Sequence, residues 1–297
     1  MALGGAAAVS ALYATFVEPR WLRRTETRMH FHALPAALEG LRLAVLTDIH
    51  ARGSTPAGLI RRAVRLANEA RPDLIAITGD IAETEAALEG ALGDLSELRA
   101  PLGVFVVPGN HDYHDIGIER WHDAIARNPR LTDLTNRTRI VNVRGRRRES
   151  DVARLCIAGV DDRSHGTPRM SILADSGQRD FTILLAHHPE QAEHARRATD
   201  DVDLVLSGHT HGGQVRLPGL GAIVNSTAHP DLYDAGVRRR PWTQVYTSRG
   251  IGTTHLPIRF LTRPEVAIVT LTAATRPQRS PMRPRRQCPA SSSGSHA

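Results

Sequence analysis

The sequence predicts an α/β sandwich with parallel crossovers. Three observations carry that reading. Short apolar runs alternate with stretches of helical periodicity, the runs in the first half stop abruptly at turn residues, and the second half supplies many further strand candidates. The first strand is expected at Leu41–Thr47, which ends in Asp48-Ile49-His50, and the next at Leu74–Thr78, stopped by Gly79-Asp80. A third follows at Val104–Val107, stopped by Pro108-Gly109. Between them, Ala57–Glu69 places Leu59, Ile60, Val64 and Leu66 at helical spacing, and Glu83–Leu98 does the same with Ala86, Leu88, Leu92 and Leu95. Ile118–Asn128 reads as another helix. Further strands are expected at Arg139–Val143, Ala153–Val160, Phe181–Ala186, Leu204–Ser207, Gln244–Ser248 and Glu265–Leu271, with helical pieces at Met170–Ala174 and Glu190–Ala198.

Both ends differ from this pattern. Ala2 to Val17 is small and apolar, shorter than the roughly 20 residues a membrane span needs, and Arg20, Arg23 and Arg24 follow it. Residues 1–27 are therefore expected to stand apart as an anchor, a signal remnant or an ordinary helix. Membrane association is the favoured reading and a cytoplasmic location the alternative. Residues 28–273 would form the folded domain. From Ala274 the chain is Arg, Pro, Ser and Gly with almost no large apolar residue, which predicts a disordered basic tail.

Composition limits the partners. The chain has 297 residues, 41% of them apolar, enough for one or two cores. Its formal charge of +7 gathers in the runs Arg144 to Arg148, Arg238 to Arg240 and Arg283 to Arg286. Such runs suit phosphate, anionic lipid or nucleic acid, or are simply a solvated surface. Aromatics make up only 4%, too few to interleave with the charges as single-stranded nucleic-acid binding requires, so no specific nucleic-acid partner is indicated. Cys156 and Cys288 show neither metal spacing nor a disulfide framework.

The polar residues of interest sit where strands stop. Asp48 and His50 follow the first strand and Asp80 the second; Asn110, His111 and Asp112 follow the third. His187 follows Phe181–Ala186, and His209 and His211 follow Leu204–Ser207. Carboxyl ends of strands in an open sheet form one edge, where loops converge on a crevice. Residues two apart in an extended segment point the same way, so Asp48 with His50, and His209 with His211, can each serve one cavity. Carboxylate, amide and imidazole donors suit Mn, Zn or Fe better than Ca, and no nearby Cys supports a structural zinc site. Each residue alone has an ordinary explanation, as a helix cap, a turn or a surface His. The ordered set of seven does not.

Asp48-Ile-His50, Gly79-Asp80, Gly109-Asn-His-Asp112, His187 and Gly208-His-Thr-His211 resemble, in order, the five blocks of the calcineurin-like metallophosphoesterase superfamily, over roughly Leu41 to Leu271. The stretches Gly208–Gln214, Ser248–Thr253 and Leu256–Arg259 look like a bacterial branch of membrane- or envelope-associated phosphodiesterases and UDP-2,3-diacylglucosamine hydrolases. The resemblance implies a four-layer α/β/β/α sandwich and two divalent ions. Asp48, His50 and His211 would hold one ion, Asn110, His187 and His209 the other, and Asp80 would bridge them. It implies in-line attack on phosphorus by a hydroxide shared between the ions. His111 would be the acid at the leaving oxygen and Asp112 its orienting partner. A phosphodiester is the expected substrate, with a lipid-nucleotide pyrophosphate as the alternative. A non-catalytic metal-binding scaffold would have lost ligands, and every position is filled here. Arg249 and Arg259 are candidate substrate contacts because guanidinium forks match phosphate oxygens, and Arg163 and His165 are further ones. His188 reads as structural, and Glu83 carries no assigned role.

Overall fold

The computed structural model describes residues 2–274 except 54, 57, 149, 176, 199, 200, 225 and 228. In chain order the elements are α1 (Ala2–Leu12), β1 (Arg23–Phe31), β2 (Arg42–Leu46), α2 (Leu59–Glu69), β3 (Leu74–Thr78), α3 (Glu85–Leu95), β4 (Val104–Val107), α4 (Ile118–Ala126) and β5 (Leu131–Asp133). Then come β6 (Arg137–Arg144), β7 (Val152–Gly159), α5 (Ile172–Asp175), β8 (Phe181–Leu185), α6 (Gln191–Ala198) and β9 (Leu204–Ser207). The last are the ribbon β10 (Arg216–Leu217) and β11 (Gly221–Ala222), α7 (Pro230–Tyr233), β12 (Gly236–Arg239), β13 (Gln244–Thr247) and β14 (Glu265–Ala273). Helix α3 opens on an N-cap, with the Thr84 hydroxyl accepting from the Ala87 amide.

Two six-stranded sheets stack face to face, in the orders β1-β14-β2-β3-β4-β5 and β12-β13-β9-β8-β7-β6. Four neighbouring strands of each run parallel: β2, β3, β4 and β5 in one, β7, β8, β9 and β13 in the other. Alternation along each strand divides the core. Leu43, Val45, Leu74, Ala76, Phe105 and Val107 meet Leu155, Ile157, Ile183, Leu185, Leu204 and Leu206 between the sheets. Ala44, Leu46, Ile75, Ile77 and Val106 face α2, α3 and α4. Cys156, Ala158, Leu184 and Val205 face α5, α6 and α7. Strands buried on both faces must be apolar throughout, which is why they read as continuous runs. The architecture is the expected four-layer α/β/β/α sandwich.

The N-terminal region differs from expectation. Arg23–Phe31 is a full strand paired in parallel with Glu265–Ala273, so folded structure begins before residue 28. Only Met29 and Phe31 of β1 are buried, so this edge strand has no apolar run to announce it. The segment before it is also tied down. The buried Glu18 carboxylate accepts from the amides of Leu261 and Thr262, and Tyr13 meets Phe260 edge to face. No helix among the described residues is long and apolar enough to cross a membrane. The tail at 275–297, with Cys288 and Arg283 to Arg286, lies outside the described residues.

Candidate metal centre

Strand pairing continues past the ends of β2 and β3 and holds their loops side by side. The amides of Asp48, His50 and Ala51 donate to the carbonyls of Gly79, Asp80 and Ile81 at 3.1, 3.0 and 2.9 Å. The second sheet closes in from the opposite face. The His209 amide donates to both Asp48 carboxylate oxygens at 3.0 Å, and His187 Nδ1 donates to the Thr78 carbonyl at 2.7 Å. Asp48, His50, Asp80, His209 and His211 all adopt positive φ, between 44° and 70°. Non-glycine residues rarely accept that conformation, and runs of it mark backbone whose side chains are aimed for a purpose. Glycine is required where the loops touch: a Cβ on Gly109 would collide with the Asp80 carboxylate, and one on Gly208 with Thr47 and Asp48.

All seven predicted ligands converge. In one group, His50 Nε2 lies 3.1 Å from His211 Nε2, and His211 Nε2 lies 3.6 Å from Asp48 Oδ1. In the other, His187 Nε2 and His209 Nδ1 each lie 3.1 Å from Asn110 Oδ1 and 3.3 Å from one another. Asp80 Oδ2 joins the groups, 3.5 Å from His50 Nε2 and 3.2 Å from His187 Nε2.

The donor chemistry fits cations. His187 spends its Nδ1–H on the Thr78 carbonyl and His209 spends its Nε2–H on the Ser226 carbonyl, so in the neutral ring the facing nitrogen of each offers a lone pair. Those two nitrogens, the Asn110 amide oxygen and the Asp80 carboxylate crowd together as acceptors, which is repulsive unless positive charge lies among them. Burial alone would lower His187, but the carboxylates of Asp80 and Asp48 outweigh it and push it up to about 10. Burial would raise Asp80, yet His187 and His50 hold it well below the usual carboxylate range. Both shifts mark one spot as suited to positive charge. His209 and His211 are driven well down, chiefly by burial, so their rings are held in the neutral form that a cation requires of an imidazole. Asp48, His50 and His211 form one potential cation group, and Asp48, Asp80 and His187 another.

The remaining predicted residues fall differently. His111 Nδ1 pairs with Asp115 Oδ2 at 2.7 Å, while its Nε2 is 3.5 Å from Thr254 Oγ1. Asp112, the expected partner, instead accepts from the amides of Gly109, Asp80 and Ile81 and braces the two loops. Its backbone leaves the strand into a single wide turn, Asp112–Ile116, which points Asp112 inward and brings Asp115 under the His111 ring. Burial, and then the neighbouring Asp80 charge, push Asp112 up to about 7. Arg249 is tied to the buried Glu265 carboxylate through Nη1 at 3.0 Å.

Arg259 corrects the sequence reading more sharply. It is fully buried, and its guanidinium donates to the carbonyls of Gly252, Thr262 and Arg249, with Nη2 3.4 Å from His211 Nδ1. It locks the loop behind the site and does not face a ligand. Arg259→Met is expected to cost roughly 3 kcal/mol of unfolding free energy in urea titrations, from carbonyls left without donors. An unchanged midpoint would refute that role.

Besides Asp115, two residues escaped the sequence reading. Glu83 Oε1 lies 3.2 Å from His50 Nδ1 and the same carboxylate takes Arg52 at 2.8 Å, so it orients the His50 ring. Asp162 does the same for His188, 3.0 Å from Nε2, and the His188 ring packs on His209 with centroids 3.8 Å apart. Arg163 and His165 lie exposed on the loop after β7, with His165 stacked on Tyr113.

Known proteins resemble this chain over most of its length. Residues 41–213 match the family described as calcineurin-like phosphoesterase. An uncharacterized metallophosphoesterase of Bacillus subtilis, YkuE, is 32% identical over 87% of this chain and 88% of its own length. The phosphodiesterase YaeI of Escherichia coli is 30% identical over 87% of this chain and 92% of its own. A bovine transmembrane protein with metallophosphoesterase domain is 32% identical over 84% of this chain, a match that spans 57% of the bovine protein. With the family matched across most of the sandwich, the chain belongs to the calcineurin-like phosphoesterases and is a metallophosphoesterase, a hydrolase of phosphate esters.

Proposed function

We propose that the chain is a dinuclear phosphodiesterase. Asp48, His50 and His211 would hold one divalent cation (Mn, Zn or Fe) and Asn110, His187 and His209 a second, with Asp80 serving both. The observation that carries this is the reach of Asp80 Oδ2 to an imidazole nitrogen of each group, at 3.5 and 3.2 Å. When bound, such a pair supplies an activated water and neutralises charge on the phosphoryl oxygens. The residues do the rest. Asp115 fixes the His111 ring so that Nε2 faces the opening beside Thr254, where it donates a proton to the departing oxygen. Burial would lower His111, but the Asp80 and Asp115 carboxylates raise it overall, which favours the protonated acid. Glu83 and Asp162 keep His50 and His188 from rotating.

The diester preference draws on the name of the Escherichia coli relative. The full chain with added Mn, Zn or Fe should turn over bis-p-nitrophenyl phosphate with a kcat/KM at least about tenfold above that for p-nitrophenyl phosphate, a difference of roughly 1.4 kcal/mol. Equal values, or a monoester preference, would refute the diester assignment.

A lipid-linked diester or pyrophosphate is the second reading. A cavity of about 190 Å³ lies beside Thr253, next to the Thr254 that faces His111; Phe16, Pro19, Pro56, Leu59 and Pro257 form its apolar wall, and Thr15, Arg20 and Thr55 also line it. An acyl chain suits that lining. Association with a membrane surface fits both this cavity and the name of the bovine relative.

A further inference from the structure

Two basic clusters far apart in sequence meet at the root of the N-terminal helix. Arg23 from β1 and Arg238 from β12 line one cavity of about 460 Å³ with Arg216, Arg249 and Arg263. Two carboxylates share its wall, and both are committed: Glu18 to the amides of Leu261 and Thr262, Asp234 to Arg216. Arg249 is paired with Glu265, and Arg263 lies 3.6 Å above the Trp21 ring. Arg23 and Arg238 have no side-chain hydrogen bond or ion pair among the described residues, and both are exposed. Excess guanidinium on a concave wall selects a multivalent oxyanion, and phosphate matches the guanidinium fork.

The surroundings narrow the source of that phosphate. Tyr13 forms part of the same wall; Leu12 just before it and Phe16 about one turn after it are 58% and 57% exposed. Val17, Leu261 and Trp21 extend the apolar border, with Trp21 45% exposed. A soluble phosphate gives those side chains nothing to cover them. An anionic lipid headgroup sits where apolar side chains, a Trp and arginines are all satisfied together. We infer that this arginine cavity binds the phosphate of an anionic phospholipid and docks the chain on a membrane surface, with Leu12, Phe16, Val17 and Trp21 in the interface. The inference deepens the membrane reading above and is independent of the hydrolytic one.

The test is co-sedimentation of the full chain with vesicles of phosphatidylcholine, alone or mixed with phosphatidylglycerol. The parent should bind the anionic vesicles, less so as salt rises. The double variant Arg23→Gln with Arg238→Gln should bind on the order of twentyfold more weakly, since each arginine near such a surface contributes about fivefold. Its thermal midpoint and its hydrolysis of bis-p-nitrophenyl phosphate should stay unchanged. No vesicle binding by the parent would overturn the membrane reading itself. Equal binding to both vesicle types, or by parent and variant, would overturn the headgroup site while leaving membrane association standing. Loss of inorganic phosphate binding in the variant with vesicle binding intact would make the cavity a soluble-phosphate site and overturn the lipid assignment.

Discussion

Asp80→Asn is expected to lower kcat/KM for bis-p-nitrophenyl phosphate by at least about a thousandfold, roughly 4 kcal/mol of transition-state stabilisation. The substitution keeps the side chain's shape, and Oδ1 can still accept from the His111 amide, as it does now at 2.9 Å. What it removes is the buried negative charge that both imidazole groups face. Its Oδ2 lies within 3.5 Å of an imidazole nitrogen of each half, so the loss should fall on both cations. Metal content measured on the purified variant should drop together with activity, while circular dichroism stays that of the parent. A variant that keeps full metal content and loses less than about tenfold in rate would remove Asp80 from the bridging position.

His111→Gln is expected to separate chemistry from metal binding. His111 is half-buried and touches the site through its ring, 4.8 Å centroid to centroid from His50, yet its Nδ1 belongs to Asp115. Metal content should be unchanged, and kcat should fall by about a hundredfold to ten-thousandfold on a diester with a poor leaving group. On bis-p-nitrophenyl phosphate, whose leaving group needs little protonation, the loss should be far smaller. Asp115→Asn should reproduce a weaker version of the same dependence, about tenfold. If the loss is the same for good and poor leaving groups, His111 is not the acid. Loss of metal from the His111 variant would place it among the ligands instead.

The sequence displayed the sandwich and the candidate ligands because both follow from short-range rules. Strands buried on two faces must be apolar along their length, so β2, β3, β4, β8 and β9 announce themselves, and the polar residues at their ends are conspicuous. The supporting residues were hidden because their partners are set by backbone geometry. Between His111 and Ile116 the chain offers Asp112 and Asp115 as partners for His111, and only the wide turn decides which ring nitrogen meets which carboxylate. Glu83 meets His50 because strand pairing extends past both loops to the bridge between Ala51 and Ala82. Arg259 read as a phosphate contact because a charged side chain near such a site is normally exposed. Its burial depends on three carbonyls from the returning 249–262 loop, and nothing in the sequence fixes their position. β1 was missed for the opposite reason: Arg23, Arg24, Glu26 and Arg28 on an edge strand look like loop.

The number of cations that catalysis needs bears most directly on the account. Chelator-stripped protein should be titrated with Mn while bis-p-nitrophenyl phosphate hydrolysis is followed. Negligible turnover is expected from the stripped protein, and a rate that saturates when two ions are bound per chain, with Asp80→Asn failing to recover at any ratio. Full activity at one ion per chain, or turnover that survives stripping, would contradict it.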